Sequence, residues 1–149
     1  MKPLFVLILV FVVSLIITEL LSGINVILSG KIAMSVMLLF TSIGHFKFTN
    51  GMMMMLPQGV PAKKEIVWIT GIVEILSAIG ILISSTAKLT GILLIVFFIA
   101  ILPSNIYAAI RHVNYEKADY TGRGPEYLWF RVPFQLLLIG WIYFFVIRG

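Results

Sequence analysis

The chain contains no cysteine among its 149 residues, and only 11% of its residues are charged. An ordinary soluble domain carries about 25% charged residues. The absence of cysteine excludes structural disulfides, thiolate zinc sites, Cys-ligated iron–sulfur clusters and thiol redox relays. The chain is instead rich in apolar residues, and 60% of its residues are hydrophobic. A soluble fold of this length cannot bury that much apolar surface, so the composition indicates one integral membrane domain, 1–149.

Five apolar segments approach or reach the length of about 20 residues that a helix needs to cross a bilayer. They cover 3–22, 31–46, 65–83, 88–110 and 127–147. Residues that break regular structure predict turns at 23–30 and 84–87 and polar loops at 47–64 and 111–126. The fold class predicted is therefore all-α, an antiparallel bundle of five transmembrane helices. A cleaved signal peptide is the alternative for the first segment, but its apolar run is long for one.

The distribution of Lys and Arg predicts how these helices are oriented, because cytoplasmic loops carry an excess of both. With five spans, one side holds the N-terminus and both polar loops. That side carries Lys2, Lys47, Lys63, Lys64, Arg111, Lys117, Arg123 and Arg131, against Lys31, Lys88 and Arg148 on the other. We therefore predict a multi-pass protein with a cytoplasmic N-terminus and an external C-terminus. The basic loops would meet anionic lipid headgroups of the bilayer, and no nucleic-acid motif is present.

Five polar side chains from four of the predicted helices lie at a similar depth beneath the cytoplasmic surface. They are His45, Glu74, Asn105, Arg131 and Gln135. Glu74 lies roughly 12 Å into its helix, at 1.5 Å per residue. An i, i+4 spacing places Arg131 and Gln135 on one helical face. Because a charge in hydrocarbon costs on the order of 3 kcal/mol, these groups need partners or a function.

Two interpretations of this cluster stay open at the level of sequence. In the structural one, Glu74 pairs with Arg131 and the other three side chains hydrogen-bond between helices. In the functional one, the cluster is a pocket that binds a small molecule, and Glu74 and His45 exchange protons. The run Met52–Met55 then predicts a flexible apolar lid over the pocket. No Gly-rich phosphate loop, nucleophile elbow or His-Glu-x-x-His is present, so we predict no catalytic residue and no metal site.

Four segments occur in an order and at spacings that resemble the DoxX-like family of small bacterial membrane proteins. They are Gly44–Phe46, Gly71–Glu74 followed by Gly80, Leu102–Tyr107 and Trp129–Gln135. The resemblance covers 31–147 and implies a four-helix core with the first helix added, in the bacterial cytoplasmic membrane. It implies the same five site residues. Some relatives are subunits of quinone-linked oxidoreductases, so it also implies a quinone as ligand or cofactor and a redox-associated role.

Two functional hypotheses follow. In the first, the protein is an auxiliary inner-membrane subunit that binds a lipophilic small molecule, such as a quinone, without catalysing a reaction alone. His45 and Glu74 would hydrogen-bond the polar head of that ligand, and Arg131 and Gln135 would orient it. In the second, the protein is an assembly factor or scaffold, and its polar cluster is purely structural. It would then contact a membrane protein partner or a second copy through lipid-facing helices or the 111–126 loop.

Overall fold

The computed structural model describes residues 2–149, with the side chain of Ser22 excepted, and is helical over most of this range. The α-helices are α1 (Lys2–Ser22), α2 (Val26–Lys47), α3 (Thr49–Met54), α4 (Lys63–Gly80), α5 (Ser84–Ile110) and α6 (Leu128–Ile142). A 3-10 turn, Gly124–Tyr127, precedes α6, and a π-helical turn, Tyr143–Ile147, continues it. Residues 2–149 contain no β-strand. The all-α prediction is confirmed.

Four helical segments of the described chain are long and apolar enough to span a membrane, which is consistent with a membrane protein. They are Lys2–Leu21, Val26–Lys47, Ser84–Ile110 and Gly124–Ile147. By length and composition, the five spans predicted from the sequence are corrected to four. The difference is α4, which has 18 residues and carries Lys63, Lys64, Glu65 and Glu74. With four charged residues among 18, α4 does not qualify as a membrane-spanning helix by length and composition.

The first predicted turn is shorter than the sequence analysis expected. It covers 23–25 rather than 23–30, because α2 begins at Val26. The side chain of Asn25 accepts a hydrogen bond from the backbone N–H of Leu28. This bond satisfies one of the free N–H groups at the start of a helix, so Asn25 acts as the N-cap.

The second predicted turn, 84–87, lies instead at 81–83, because α5 begins at Ser84. Near its start, the hydroxyl of Thr86 donates a hydrogen bond to the carbonyl of Gly80 at 2.9 Å. That carbonyl belongs to the last turn of α4, where the helix itself supplies no partner. The Ser-Ser-Thr segment therefore forms the first turn of α5, and Thr86 ties that turn to the end of α4.

Helices α2 and α4 lie side by side in opposite directions. The hydroxyl of Ser35 donates to the carbonyl of Ala78 at 2.6 Å, and that of Thr41 to the Glu74 carboxylate at 2.9 Å. Closer to the end of α2, the ring of His45 lies 3.0 Å from the Val67 carbonyl. Residues later in α2 thus contact residues earlier in α4, as expected for antiparallel helices.

Helices α5 and α6 form a second antiparallel pair. The backbone at Gly91 packs against the side chain of Val146, and Gln135 donates a hydrogen bond to the carbonyl of Phe98. This pair meets the α2–α4 pair near one end of the molecule, where the indole of Trp141 donates to the carbonyl of Gly30 at 2.9 Å. Gly30 packs directly against the Phe145 ring, an approach that a Cβ would obstruct.

The opposite end of the molecule gathers the start of α1, α3 and the segment 111–123, and we call it the loop end. There the ammonium of Lys2 lies 2.8 Å from the carboxylate of Glu116. The rings of Phe48 and Tyr115 are 6.0 Å apart, and Gly51 packs against the Tyr115 backbone. These contacts bring together, at one end, the three parts of the chain that the sequence analysis assigned to one side of the membrane.

Candidate functional site

A cavity of about 680 Å³ opens at the loop end, between the α2–α4 pair and the α5–α6 pair. All five site residues predicted from the sequence line it: His45, Glu74, Asn105, Arg131 and Gln135. Its apolar floor is formed by Met37, Leu38, Phe97, Phe98 and Leu138, and its mouth by Lys2, Tyr115 and Glu116. Pockets of roughly 300–1,000 Å³ with apolar walls and a few converging polar groups are typical of small-molecule sites.

The carboxylate of Glu74 is the most deeply placed charged group in the cavity, and only 5% of the residue is exposed. Its Oε1 lies 3.4 Å from Nε2 of His45. Its Oε2 accepts a hydrogen bond from the hydroxyl of Thr41 at 2.9 Å. Since Thr41 and His45 are four residues apart on α2, one face of that helix supplies both partners.

The other nitrogen of the His45 ring has two neighbours that fix where its hydrogen lies. Nδ1 is 3.0 Å from the carbonyl of Val67 and 3.0 Å from the hydroxyl of Thr70. A carbonyl only accepts, and the Thr70 hydroxyl already donates to the same Val67 carbonyl at 2.8 Å. The Val67 carbonyl therefore requires that Nδ1 carries a hydrogen, and the Thr70 hydroxyl can accept the same hydrogen.

This assignment determines how His45 and Glu74 share protons. With its hydrogen on Nδ1, a neutral imidazole would turn the lone pair of Nε2 toward a carboxylate oxygen. The contact is attractive only if one hydrogen lies between Nε2 and Oε1. Either the imidazolium faces a carboxylate or the imidazole faces a carboxylic acid. In both forms the pair holds one proton between the two residues and has no net charge.

Asn105 and Gln135 form a second polar contact, between α5 and α6. The Asn105 amide donates to the side-chain oxygen of Gln135 at 3.4 Å, and Gln135 donates onward to the carbonyl of Phe98. Gln135 is buried and Asn105 is partly buried. The side-chain oxygen Oδ1 of Asn105 accepts no hydrogen bond within residues 2–149, so it is free for a ligand in the cavity.

Arg131 does not pair with Glu74, which corrects the structural interpretation of the sequence. Glu74 faces His45 instead, because antiparallel packing of α2 and α4 places those two side chains at the same level. Within residues 2–149, no carboxylate oxygen lies within 4.0 Å of the Arg131 guanidinium. Its neighbour is the face of the Tyr127 ring, with the guanidinium 5.5 Å from the ring centroid. A partly buried cation thus lines the cavity.

The mouth of the cavity is closed on one side by the ion pair between Lys2 and Glu116. The hydrogen bond from Lys2 holds the pKa of the Glu116 carboxyl below its usual value. Burial, and then the nearby Glu116 charge, raise the pKa of the Tyr115 phenol. Tyr115 therefore remains a neutral hydroxyl, and it donates a hydrogen bond to the Glu116 carboxylate at 3.5 Å.

Met52 and Met55, from the run predicted as a lid, also line the cavity. They lie on and just after α3, within a segment predicted as an irregular loop. Five further residues near the site were not predicted as site residues: Thr41, Thr70, Lys2, Tyr115 and Glu116. Spacing was a usable signal for the two threonines, since each lies four residues before a site residue, Thr41 before His45 and Thr70 before Glu74. The contact between Lys2 and Glu116 joins residues 114 positions apart, and no local pattern indicates it.

Comparison with known proteins identifies the family of this chain. The profile of DUF8561, a domain of unknown function, matches residues 34–146, which is 113 of the 149 residues. The chain therefore belongs to the DUF8561 family. The matched range begins within α2 and leaves α1 outside it. No curated protein and no solved structure matches the chain.

The resemblance to the DoxX-like family is wrong, because the family that matches is DUF8561. The segments that carried the resemblance are short, and most of their residues are apolar, Gly or Pro. Such segments recur among unrelated membrane helices, since hydrocarbon restricts which residues a helix can carry. The quinone, the redox role and the bacterial cytoplasmic membrane were implied by that resemblance and lose their support with it.

Proposed function

We propose that this protein binds a lipophilic small molecule with a polar head group in the cavity at its loop end. The observation that carries the proposal is the make-up of the cavity lining. Its floor is apolar, with Phe98 and Leu138, whereas hydrogen-bonding groups of Glu74, Asn105 and Arg131 line its walls. A ligand with one apolar and one polar part satisfies both regions, as small-molecule sites usually require. In this proposal the protein is an auxiliary binding component rather than a stand-alone enzyme.

We further propose that α4 crosses the membrane beside α2. Its charges are concentrated in its first three residues, 63–65, and its remaining charge, Glu74, is buried. The side chains on its outer face are apolar and exposed: Ile69, Ile72, Leu76 and Ile79. It also contacts α2, which is long and apolar enough to span, from Ser35 to His45. Both helices therefore occupy the same range of depth in the membrane.

Five crossings would place the N-terminus and the C-terminus on opposite sides of the membrane. The loop end then carries eight of the 11 Lys and Arg residues. Since Lys and Arg accumulate on the cytoplasmic side, the cavity opens toward the cytoplasm. This orientation is tested by reaction of single engineered cysteines, at Glu116 and at Arg148, with a membrane-impermeant thiol reagent. The chain has no cysteine of its own to interfere.

Ligand binding is tested by native mass spectrometry of the protein extracted gently from the membranes in which it is produced. Wild type is compared with Glu74→Gln, which keeps the shape of the side chain but removes its charge. We expect a defined small-molecule adduct on wild type that is lost or strongly reduced in Glu74→Gln. The matched control is Glu19→Gln, because Glu19 is exposed near the far end of α1 and does not line the cavity. An adduct unaffected by Glu74→Gln would contradict the proposal.

One observation favours the alternative, a scaffold or assembly factor with a structural polar cluster. Glu74, His45 and Gln135 all have hydrogen-bond partners within the protein. If the cluster is structural, wild type carries no adduct and a second protein co-purifies with it. Replacing 114–121 by a Gly/Ser linker of equal length would then abolish capture of that protein, whereas Glu74→Gln would leave it intact.

A further inference from the structure

We infer that the ligand of this cavity is an anionic amphiphile, with one apolar chain on the cavity floor and a carboxylate or phosphate head group at Arg131. This inference rests on the proposed function and adds the chemical class of the ligand to it. Three observations carry it: the balance of charge in the cavity lining, the unsatisfied guanidinium of Arg131, and the apolar path that leads inward from it.

The charges of the lining balance one another in two pairs. The His45–Glu74 pair has no net charge in either of its two forms, because one proton is shared between the two residues. At the mouth, Lys2 and Glu116 form an ion pair at 2.8 Å and cancel each other.

Two cations of the lining have no compensating carboxylate within residues 2–149. They are Arg131 and Lys47. Lys47 is exposed at the end of α2, 5.3 Å from the centroid of the Phe48 ring. Arg131 is partly buried and lies further inward. The lining therefore has an excess of two positive charges near the mouth, which favours a ligand of opposite sign.

The Arg131 guanidinium has hydrogen-bonding capacity that the described chain does not use. It presents five N–H donors in a planar arrangement, and no hydrogen bond from it to residues 2–149 is formed. The Tyr127 ring face contacts the cation but accepts no bidentate hydrogen bond. A carboxylate or phosphate group matches the guanidinium geometrically and forms two parallel charge-assisted hydrogen bonds with it.

An apolar path leads from Arg131 to the cavity floor along α6. Arg131, Phe134 and Leu138 all line the cavity, and their spacing of i, i+3 and i+7 places them on one face of the helix. Leu138 lies about 10 Å deeper than Arg131, at 1.5 Å per residue. A head group held by Arg131 therefore directs an attached chain along Phe134 toward the floor. The cavity volume of about 680 Å³ suits a ligand with one such chain.

The experiment compares three ligands that share one chain and differ only in the head group: oleate, oleyl phosphate and oleyl alcohol. Their affinities for the purified full-length protein in neutral-detergent micelles are measured by titration with native mass spectrometry. Variants are Arg131→Gln, which removes the charge, and Arg131→Lys, which keeps it. The matched control is Arg123→Gln, since Arg123 is a loop-end cation that does not line the cavity.

We expect wild type to bind the anionic ligands on the order of 10- to 100-fold more tightly than oleyl alcohol, as a hydrogen-bonded charge pair implies. Arg131→Gln should remove that preference and leave oleyl alcohol binding unchanged, whereas Arg131→Lys should keep part of it and Arg123→Gln all of it. A stronger preference for oleyl phosphate identifies a phosphorylated lipid as the source of the head group, and one for oleate identifies a fatty acid.

The results that overturn the inference differ from those that overturn the proposed function. Equal affinity of wild type for all three ligands would exclude an anionic head group while leaving a lipophilic ligand in place. A preference that survives in Arg131→Gln would exclude Arg131 as its origin. If none of the three ligands binds to wild type, the proposed function fails and the inference fails with it. The wild-type comparison remains decisive even if Arg131→Gln does not fold.

Discussion

Nε2 of His45 lies 3.4 Å from Oε1 of Glu74, across the contact between α2 and α4. On the other side of the ring, Nδ1 is held by the Val67 carbonyl and the Thr70 hydroxyl, each at 3.0 Å. The two sets of contacts predict one proton shared between the imidazole and the carboxylate. This pair connects two helices and also lines the cavity, so a change in either residue should affect both helix packing and the proposed ligand binding.

Removing the hydroxyl of Thr41 should destabilise the contact between α2 and α4. Thr41→Val keeps the shape of the side chain but removes the hydrogen bond to Glu74. We expect a loss of about 0.6 to 1.7 kcal/mol in the free energy of unfolding, the range for hydrogen bonds between membrane helices. The measurement is reversible unfolding in mixed micelles. Thr90→Val is the control, because the Thr90 hydroxyl donates no hydrogen bond within residues 2–149, and equal losses for both variants would contradict the prediction.

The proton shared by His45 and Glu74 should be visible by spectroscopy. In Glu74→Gln the carboxyl group that shares the proton is gone, and only a neutral amide faces Nε2. We expect the ¹⁵N chemical shifts of the His45 ring in wild type to report a hydrogen at Nδ1 and a second one shared at Nε2. In Glu74→Gln the Nε2 signal should change, whereas Nδ1 should keep its hydrogen. A wild-type Nε2 signal typical of a free lone pair would refute the shared proton.

Acid should release the contact between the N-terminus and the 111–123 segment. The pKa of Glu116 is lowered in the folded protein, chiefly by the hydrogen bond from Lys2. A group with a lowered pKa stabilises the fold above its unfolded pKa, and this contribution is lost as the pH falls through the folded pKa. The contact should therefore be intact at neutral pH, begin to weaken below about pH 4.5, the ordinary Glu value, and open as the pH falls through the lower pKa of the folded protein. Spin labels at Pro3 and Lys117 measure the opening.

The control for this acid-induced opening is Glu116→Gln. The amide does not titrate in this range, so the distance between the two labels in that variant should be independent of pH. An opening in Glu116→Gln with the same midpoint as in wild type would assign the effect to another group.

A methyl group at Gly51 should displace α3 from the mouth of the cavity. A Cβ at this position would overlap the backbone of Tyr115, which cannot move as a flexible side chain does. Overpacking of this kind costs about 1 to 3 kcal/mol, so Gly51→Ala should lower the melting temperature measured in micelles. Gly59→Ala is the matched control, since nothing lies within 4 Å of a Cβ there. The prediction fails if the two variants melt at the same temperature.

Filling the cavity should abolish ligand binding without touching its charged groups. Ser104 lines the cavity from α5, and Ser104→Phe would place a large apolar ring in the space that the ligand requires. We expect the variant to fold, because the ring enters an existing cavity rather than a packed core, and to lose the adduct seen by native mass spectrometry. Ser85→Phe, at the exposed start of α5, is the control. An unchanged adduct in Ser104→Phe would place the ligand elsewhere.

The sequence by itself determined that the protein is all-α with long apolar helices, and it determined which residues form the polar cluster. Helix length and hydropathy are local properties, so the apolar segments were found within a few residues of their ends. Depth along a helix follows from a fixed rise per residue, and this is why five residues distant in sequence were predicted at one level. The structure does place His45, Glu74, Asn105, Arg131 and Gln135 around one cavity.

The tertiary structure decided which of these groups meet. Depth specifies the level of a side chain but not its direction around the helix axis, so the sequence left open whether Glu74 faces Arg131 or His45. Packing places it against His45. The contact of Lys2 with Glu116 depends on how all the intervening helices pack. Partners across helices are set by rotation and antiparallel packing, which arise only when the whole chain is assembled. The unpaired guanidinium of Arg131, and with it the charge of the proposed ligand, is a consequence of that assembly.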